Sequence, residues 1–263
     1  MKIGEIAKVI EEFAPLALQE DYDNSGLVVG RYGDEVSKAL LAVDVTDEVL
    51  DEAEREGCDI VITHHPIIFH ALKRFNSGSY VERLVERAIR SGIALYACHT
   101  NLDSTRNGMS WRLAGLLGVG ELQVLEYSDE ACGAGFGVIG NLPEAVPTLD
   151  FLRHTAEVAE AKCIRYSDIA SETVRRVAVC TGSGASFMRA AVAGGADIYV
   201  TADLKYNDFM TPDGAITVAD IGHFESEYCA IDILFEVLSK KLINFAVRKS
   251  ERSRNPINYL TNK

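Results

Sequence analysis

The sequence predicts an α/β fold of two related, intertwined halves arising by internal duplication, with a metal cleft between them. Three observations carry that prediction. Short apolar runs alternate with helically spaced ones, one strand–helix–strand unit recurs later in the chain, and His/Asp/Glu clusters follow the strands.

Residues 1–20 show helical spacing at Ile3, Ile6, Val9, Ile10 and Phe13. The turn-rich Asp21-Tyr22-Asp23-Asn24-Ser25-Gly26 leads into a short strand, Leu27–Val29. Ala39–Val43 reads as a buried strand. Thr46 caps a helix with Asp47 and Glu48 in its first turn, Gly57 ends it, and Asp59–Thr63 is the next strand. A strand, helix and strand of these lengths imply a parallel pair with a right-handed crossover. Residues 80–91 fit another helix and Ile93–Cys98 another strand.

Sliding the sequence by 138 positions lays Ala39–Thr63 on Val177–Thr201 without a gap. Gly57 meets Gly195, Asp59 meets Asp197, Ile60 meets Ile198 and Thr63 meets Thr201. Equal element lengths with these matches point to duplication. The Gly-rich stretch Asp129–Asn141, followed by Pro143 and Pro147, marks the break between halves. Residues 148–161 read as a helix, and Phe224–Leu242 as a long amphipathic one. The expected division gives residues 1–128 plus 223–263 to the first half and 129–222 to the second.

The 263 residues are comfortable for two small domains, and 48% hydrophobic content supplies their cores. A net charge of −13 disfavours nucleic acid and anionic membranes as partners. No apolar stretch approaches the ~20 residues that span a bilayer. The six cysteines include no Cys-x-x-Cys spacing and sit mostly in apolar runs, which points to reduced thiols in the cytoplasm.

The chemistry gathers after the strands, where ligands bind in parallel sheets. Asp59–Thr63 runs into His64-His65-Pro66, and Ile93–Cys98 runs into His99-Thr100-Asn101-Leu102-Asp103. Ile216–Ala219 is followed by His223 and Glu227, four apart and so on one helical face. Each cluster alone has a structural explanation; their convergence at repeat-related strand ends favours a cation that balances the acids and imidazoles. Ligands His64, His65, Asp103, His223 and Glu227 exceed what one catalytic zinc takes from protein, so two divalent ions, zinc, iron or manganese, are expected. His99 either lines the cleft or bonds an acidic ligand from behind. Thr181-Gly182-Ser183-Gly184-Ala185-Ser186 is a tight strand-to-helix turn or a phosphate cradle, though not a Walker loop.

Asp23-Asn24-Ser25-Gly26-Leu27, Ile62-Thr63-His64-His65-Pro66, His99-Thr100-Asn101-Leu102-Asp103, Thr201-Ala202-Asp203-Leu204-Lys205-Tyr206 and Gly222-His223-Phe224-Glu225-Ser226-Glu227 together resemble the GTP cyclohydrolase 1 type 2 family, also called NIF-three-like proteins. The resemblance implies two intertwined α/β halves, a dinuclear metal centre on His64, His65, Asp103, His223 and Glu227 with Glu227 bridging, and toroidal homohexamers. It departs at Ala202-Asp203, where relatives often carry Gly-Glu, and at Asn207, where they often carry His. Asp203 keeps a carboxylate, whereas Asn207 cannot serve as an acid near neutral pH.

The functional expectation is a metal-dependent hydrolase in which the metal pair activates water and His99 and Asp203 move protons. The substrate class is a nucleotide or phosphorylated small molecule; the family name implies GTP. The alternative is a metal-binding scaffold or regulatory interaction protein without turnover.

Overall fold

The computed structural model describes residues 1–260. Along the chain run α1 (Ile3–Phe13), β1 (Gly26–Val29), β2 (Lys38–Ala42), α2 (Asp47–Glu56), β3 (Ile60–Thr63), α3 (Tyr80–Ser91), β4 (Ala94–Ala97), α4 (Thr100–Ser104), α5 (Met109–Leu116), β5 (Gly120–Asp129), β6 (Ala134–Pro147), α6 (Thr148–Val158), β7 (Arg165–Tyr166), β8 (Thr173–Ser183), α7 (Met188–Ala193), β9 (Ile198–Ala202), β10 (Thr217–Asp220), α8 (His223–Glu227), α9 (Cys229–Lys241) and β11 (Ala246–Lys249). Two units share them. One holds Met1–Thr105 and Ala230–Arg254; the other holds Arg106–Cys229 and, of the described residues, 255–260. The chain therefore changes unit after Thr105, Cys229 and Arg254, which makes the halves intertwined in sequence.

In the first unit the strand order is β1-β4-β3-β2-β11. β11, β2, β3 and β4 are parallel, and β1 closes the edge antiparallel to β4. Parallel strands are covered on both faces, which explains why Ile60, Val61 and Ile62 are all fully buried. Each such side chain contributes about 1.5–3 kcal/mol. One face, with Leu40, Ala42, Val61 and Leu95, packs on Val49, Leu50 and Ala53 of α2 and Leu84 and Ala88 of α3. Those helices start where polar side chains cap them. Thr46 Oγ1 accepts from Val49 N, as expected, and Ser79 Oγ accepts from Glu82 N. Gly57 and Gly92 end them.

In the second unit the order is β5-β6-β8-β9-β10-β7. Alternate residues serve opposite faces, as a strand requires. Val177, Val179, Ile198 and Val200 pack with α5 and α6, whereas Ala178, Cys180 and Tyr199 pack with Met188 and Ala191 of α7.

The duplication holds at the level of hydrogen bonds. Ala39 pairs with Ile60 and Leu40 with Val61; Val177 pairs with Ile198 and Ala178 with Tyr199, the same register at the offset of 138. The Asp59 carboxylate accepts from the backbone N–H of Ser37 and Lys38, and the Asp197 carboxylate accepts from those of Arg175 and Arg176. In each half a third parallel strand follows (β4, β10), then an antiparallel edge strand (β1, β7).

Three elements differ from expectation. The Gly-rich stretch is no linker: it forms the turn and long strand of the β5–β6 hairpin. A Cβ at Gly140 would lie 2.3 Å from Gly120 O, and one at Gly135 2.2 Å from Glu126 O, so glycine is needed where the two strands crowd. That pairing carries residues 106–128 into the second unit, and α8 joins them by lying against β8, so the units divide at Thr105 and Cys229 rather than at 128 and 222. The helix expected over 224–242 is interrupted at Tyr228, just before the chain changes unit after Cys229.

Candidate metal centre

His64 and His65 extend the ladder one step past β3. His64 N donates to Ala42 O and His65 N to Val43 O, and Thr63 Oγ1 donates to His65 O at 2.8 Å. The hydroxyl bond turns the chain before Pro66, so side chains that would alternate in a strand come together. Their ring centroids are 4.8 Å apart. His99, at the start of α4 beyond β4, joins them with centroids 5.1 Å from His64 and 5.5 Å from His65. One nitrogen of each of the three rings lies within 4.8 Å of the others.

Each of these imidazoles is oriented from behind. His64 Nδ1 is 2.9 Å from Cys98 O, His65 Nδ1 is 2.8 Å from Asp44 Oδ1, and His99 Nδ1 is 2.7 Å from Asp23 Oδ1. A carbonyl or carboxylate there requires the proton on Nδ1 and puts the lone pair on Nε2, the arrangement of metal-ligating histidines. The Asp23 side chain is shielded from solvent and also accepts from Asn24 N, Ser25 Oγ, and Thr100 N and Oγ1. Burial alone would raise its pKa; His99 and Thr100 outweigh that and hold it well below the ordinary carboxylate range. Asp103 lies in the first turn of α4, where Asp103 N donates to His99 O, and a carboxylate oxygen of Asp103 comes within 4.8 Å of a His64 ring nitrogen. Phe69 meets the His99 ring edge-on at 6.0 Å, and Tyr22 packs tilted on Phe69 at 6.2 Å, giving that side of the cluster an aromatic border.

In the second unit, His223 and Glu227 share one face of α8, with Nε2 2.9 Å from Glu227 Oε2. Asp203 follows β9 in a left-handed backbone conformation (φ 55°), and its Oδ2 is 2.8 Å from His223 Nδ1. Burial would lower the His223 pKa, but Glu227 and Asp203 favour its charged form and raise it to about 9. Two carboxylates thus stabilise positive charge at this imidazole, as a bound cation would require. Donor atoms on one tetrahedral zinc lie about 3.3 Å apart at bond lengths of about 2.0–2.1 Å. The His223–Glu227 pair, at 2.9 Å, would open by about 0.4 Å to reach that spacing.

The Thr181–Ser186 loop packs as a tight turn against Glu227. Gly182 N donates to Ser226 Oγ and Gly184 N to Thr201 Oγ1, while Tyr199 Oη donates to Gly184 O. The N–H groups of Gly182 and Gly184 thus have protein acceptors. Gly182 (φ +65°) lies so close to the carboxylate that a Cβ would sit 2.2 Å from Glu227 Oε1. Asn207 is exposed on a 3-10 turn over Tyr206–Phe209.

Comparisons with known proteins show the family and the fold. The sequence matches the family described as Duf34/NIF3 (NGG1p interacting factor 3) over residues 1–256. The chain belongs to that family. A Clostridium perfringens relative named GTP cyclohydrolase 1 type 2 homolog is 31% identical, covering 99% of this chain and 100% of its own. One from Lactococcus lactis, with the same name, is 31% identical over 97% of this chain and 98% of its own. Among solved structures, a Bacillus cereus protein related to NIF3 superposes with a TM-score of 0.90 at 23% identity, covering 99% of both chains. Reduced HcgD from Methanocaldococcus jannaschii does so with 0.80 at 28% identity, covering 95% and 98%.

Sequence reasoning missed Asp44, an acid just beyond a buried strand next to the one that leads into His64. Gly182 and Ser226 lie in stretches the sequence singles out, but their contact with each other, 44 residues apart, leaves no local pattern.

Proposed function

We propose that the chain is a dinuclear divalent-metal-dependent hydrolase whose ligands are His64, His65, Asp103, His223 and Glu227, with Glu227 as the bridge. The observation that carries this reading is the anchoring of the imidazoles: His65 and His223 each rest on a carboxylate, and His64 on a carbonyl, through Nδ1. The relatives named GTP cyclohydrolase 1 type 2 homolog support hydrolysis and make GTP the first nucleotide to test. The imidazole content favours zinc, iron or manganese over magnesium and calcium.

With divalent ions held by these residues, the site would gain Lewis-acid polarisation and a more acidic water. The protein's own work is to hold the ligands. Asp44 and Asp203 fix the rings of His65 and His223, and Gly182 and Ser226 seat α8 and its Glu227. The Asp203 side chain is half exposed, so while Oδ2 holds His223 its other oxygen can exchange a proton with water.

A cytoplasmic setting suits the buried thiols Cys58, Cys98, Cys180 and Cys229, and a toroidal homohexamer is the assembly proposed from the motif resemblance. Among the described residues no helix is long and apolar enough to cross a membrane. The test is to load the protein with zinc, iron(II) or manganese and follow GTP by chromatography beside His64→Ala. Turnover that His64→Ala abolishes supports the reading. Full metal occupancy with no turnover of GTP or a panel of phosphoesters and amides contradicts it and leaves the scaffold.

A further inference from the structure

The helix that carries His223 and Glu227 is too short to place itself. α8 spans five residues, and helices below about 12–15 residues are marginal on their own, so contacts from outside set its position. One is the bond from Gly182 N of β8 to Ser226 Oγ. A second comes from the C-terminal segment: Asn255 Nδ2 donates to Glu225 Oε1 at 2.7 Å. The orientation of that amide is set locally. Its Oδ1 accepts from Ile257 N at 2.8 Å, the turn an Asn makes with the residue two positions on, which leaves Nδ2 facing the carboxylate. Glu225 in turn folds over the start of α8. A Cβ at Gly222 (φ +93°) would sit 2.4 Å from Glu225 Oε2 and 3.5 Å from Tyr259 Oη, so the carboxylate and the Tyr259 hydroxyl both close on the Gly222 backbone. The Oε2 atom is shielded from solvent there. All these residues belong to the second unit.

We propose that Asn255 is a positioning residue for the ligands on α8, holding Glu225 so that His223 and Glu227 present their donor atoms together. The proposal rests on the reading of His223 and Glu227 as metal ligands. Glu225 lies between them in sequence, two residues from each, so its anchor fixes the middle of the helix. The neighbouring Ser226 is tied to β8, and the two adjacent anchors together restrain both the rotation and the shift of α8. The Asn255–Glu225 bond is charge-assisted, which makes it stronger than a bond between neutral groups. A ligating pair held through such outer contacts typically loses ~10–100-fold in metal affinity when one of them is removed.

The test uses the full chain, stripped by chelator, with zinc as the affinity probe. Asn255→Asp keeps an acceptor for Ile257 N but sets a carboxylate against Glu225. Competition with a chromophoric chelator should show it weakening zinc at least ~10-fold at the site that His223→Ala weakens. Adding Glu225→Gln should restore the affinity, because a glutamine amide donates to the new carboxylate. Thermal unfolding of the same metal-free variants separates positioning from stability. A contact that served folding alone would lower the melting temperature and leave zinc affinity where it was. Wild-type zinc affinity in Asn255→Asp, or no recovery in the double variant, overturns the proposal. If His223→Ala weakens zinc while Asn255→Asp does not, α8 still carries a ligand and only the role of Asn255 fails. If neither weakens it, the ligand reading of α8 fails as well.

Discussion

Gly182→Ala isolates the contact that seats the Glu227 carboxylate. The new methyl would sit 2.2 Å from Glu227 Oε1, on a backbone at φ +65°. The left-handed conformation costs a residue with a Cβ about 1–2 kcal/mol, offset by about 0.4–1 kcal/mol from the stiffer unfolded chain. Gly195→Ala serves as the control, because Gly195 is also left-handed (φ +71°) and a Cβ there meets nothing within 4 Å. It should cost about 1 kcal/mol or less. Gly182→Ala must in addition push a buried carboxylate away from His223, and breaking a buried pair costs up to about 3–5 kcal/mol. The expected total is roughly 2–5 kcal/mol, which for chains of this size lowers the melting temperature by about 2–4 °C per kcal/mol. The assay is thermal unfolding of both variants followed by circular dichroism, with bound metal measured on the same samples. Equal melting temperatures and equal metal content would refute the seating role of Gly182.

Asp44→Asn should weaken metal binding ~10–100-fold by loosening His65, read by chelator competition; unchanged affinity would remove Asp44 from the account. Asp59→Ala and Asp197→Ala should each destabilise by about 2 kcal/mol in urea unfolding, because each carboxylate accepts two backbone N–H groups at repeat-related positions. Widely unequal losses would contradict equivalence of the halves. Glu52 is fully buried and accepts from Ser250 Oγ, Glu251 N and Arg252 N; burial would raise its pKa, but these donors hold it below its ordinary 4.5. Its contribution is therefore complete above about pH 4.5 and lost as pH falls through the depressed folded value. Glu52→Gln should lower stability by about 2–3 kcal/mol at neutral pH and flatten its acid dependence. A variant as acid-sensitive as the parent would argue against that role.

Much of this was legible locally. Thr46 and Gly57 bound a helix by side-chain capping and chain reversal, both properties of adjacent residues. The repeat was legible because a shared register leaves matched residues at one offset, as Asp59 and Asp197 show. His64, His65 and His99 stood out because imidazoles after buried strands have few packing explanations. The misread Gly-rich stretch has a physical cause. Glycine marks both linkers and close strand approach, and only the partner, Gly120 O against Gly140, tells them apart. The Thr181–Ser186 loop was ambiguous for the same reason, since its N–H acceptors come from Thr201 and Ser226, far along the chain.

The most direct measurement is metal per chain by plasma mass spectrometry on untagged protein purified without chelator, beside His64→Ala and Glu227→Ala. The account predicts about two divalent ions per wild-type chain, with loss in both variants. Wild-type protein that is metal-free and takes up neither zinc, iron nor manganese would contradict it.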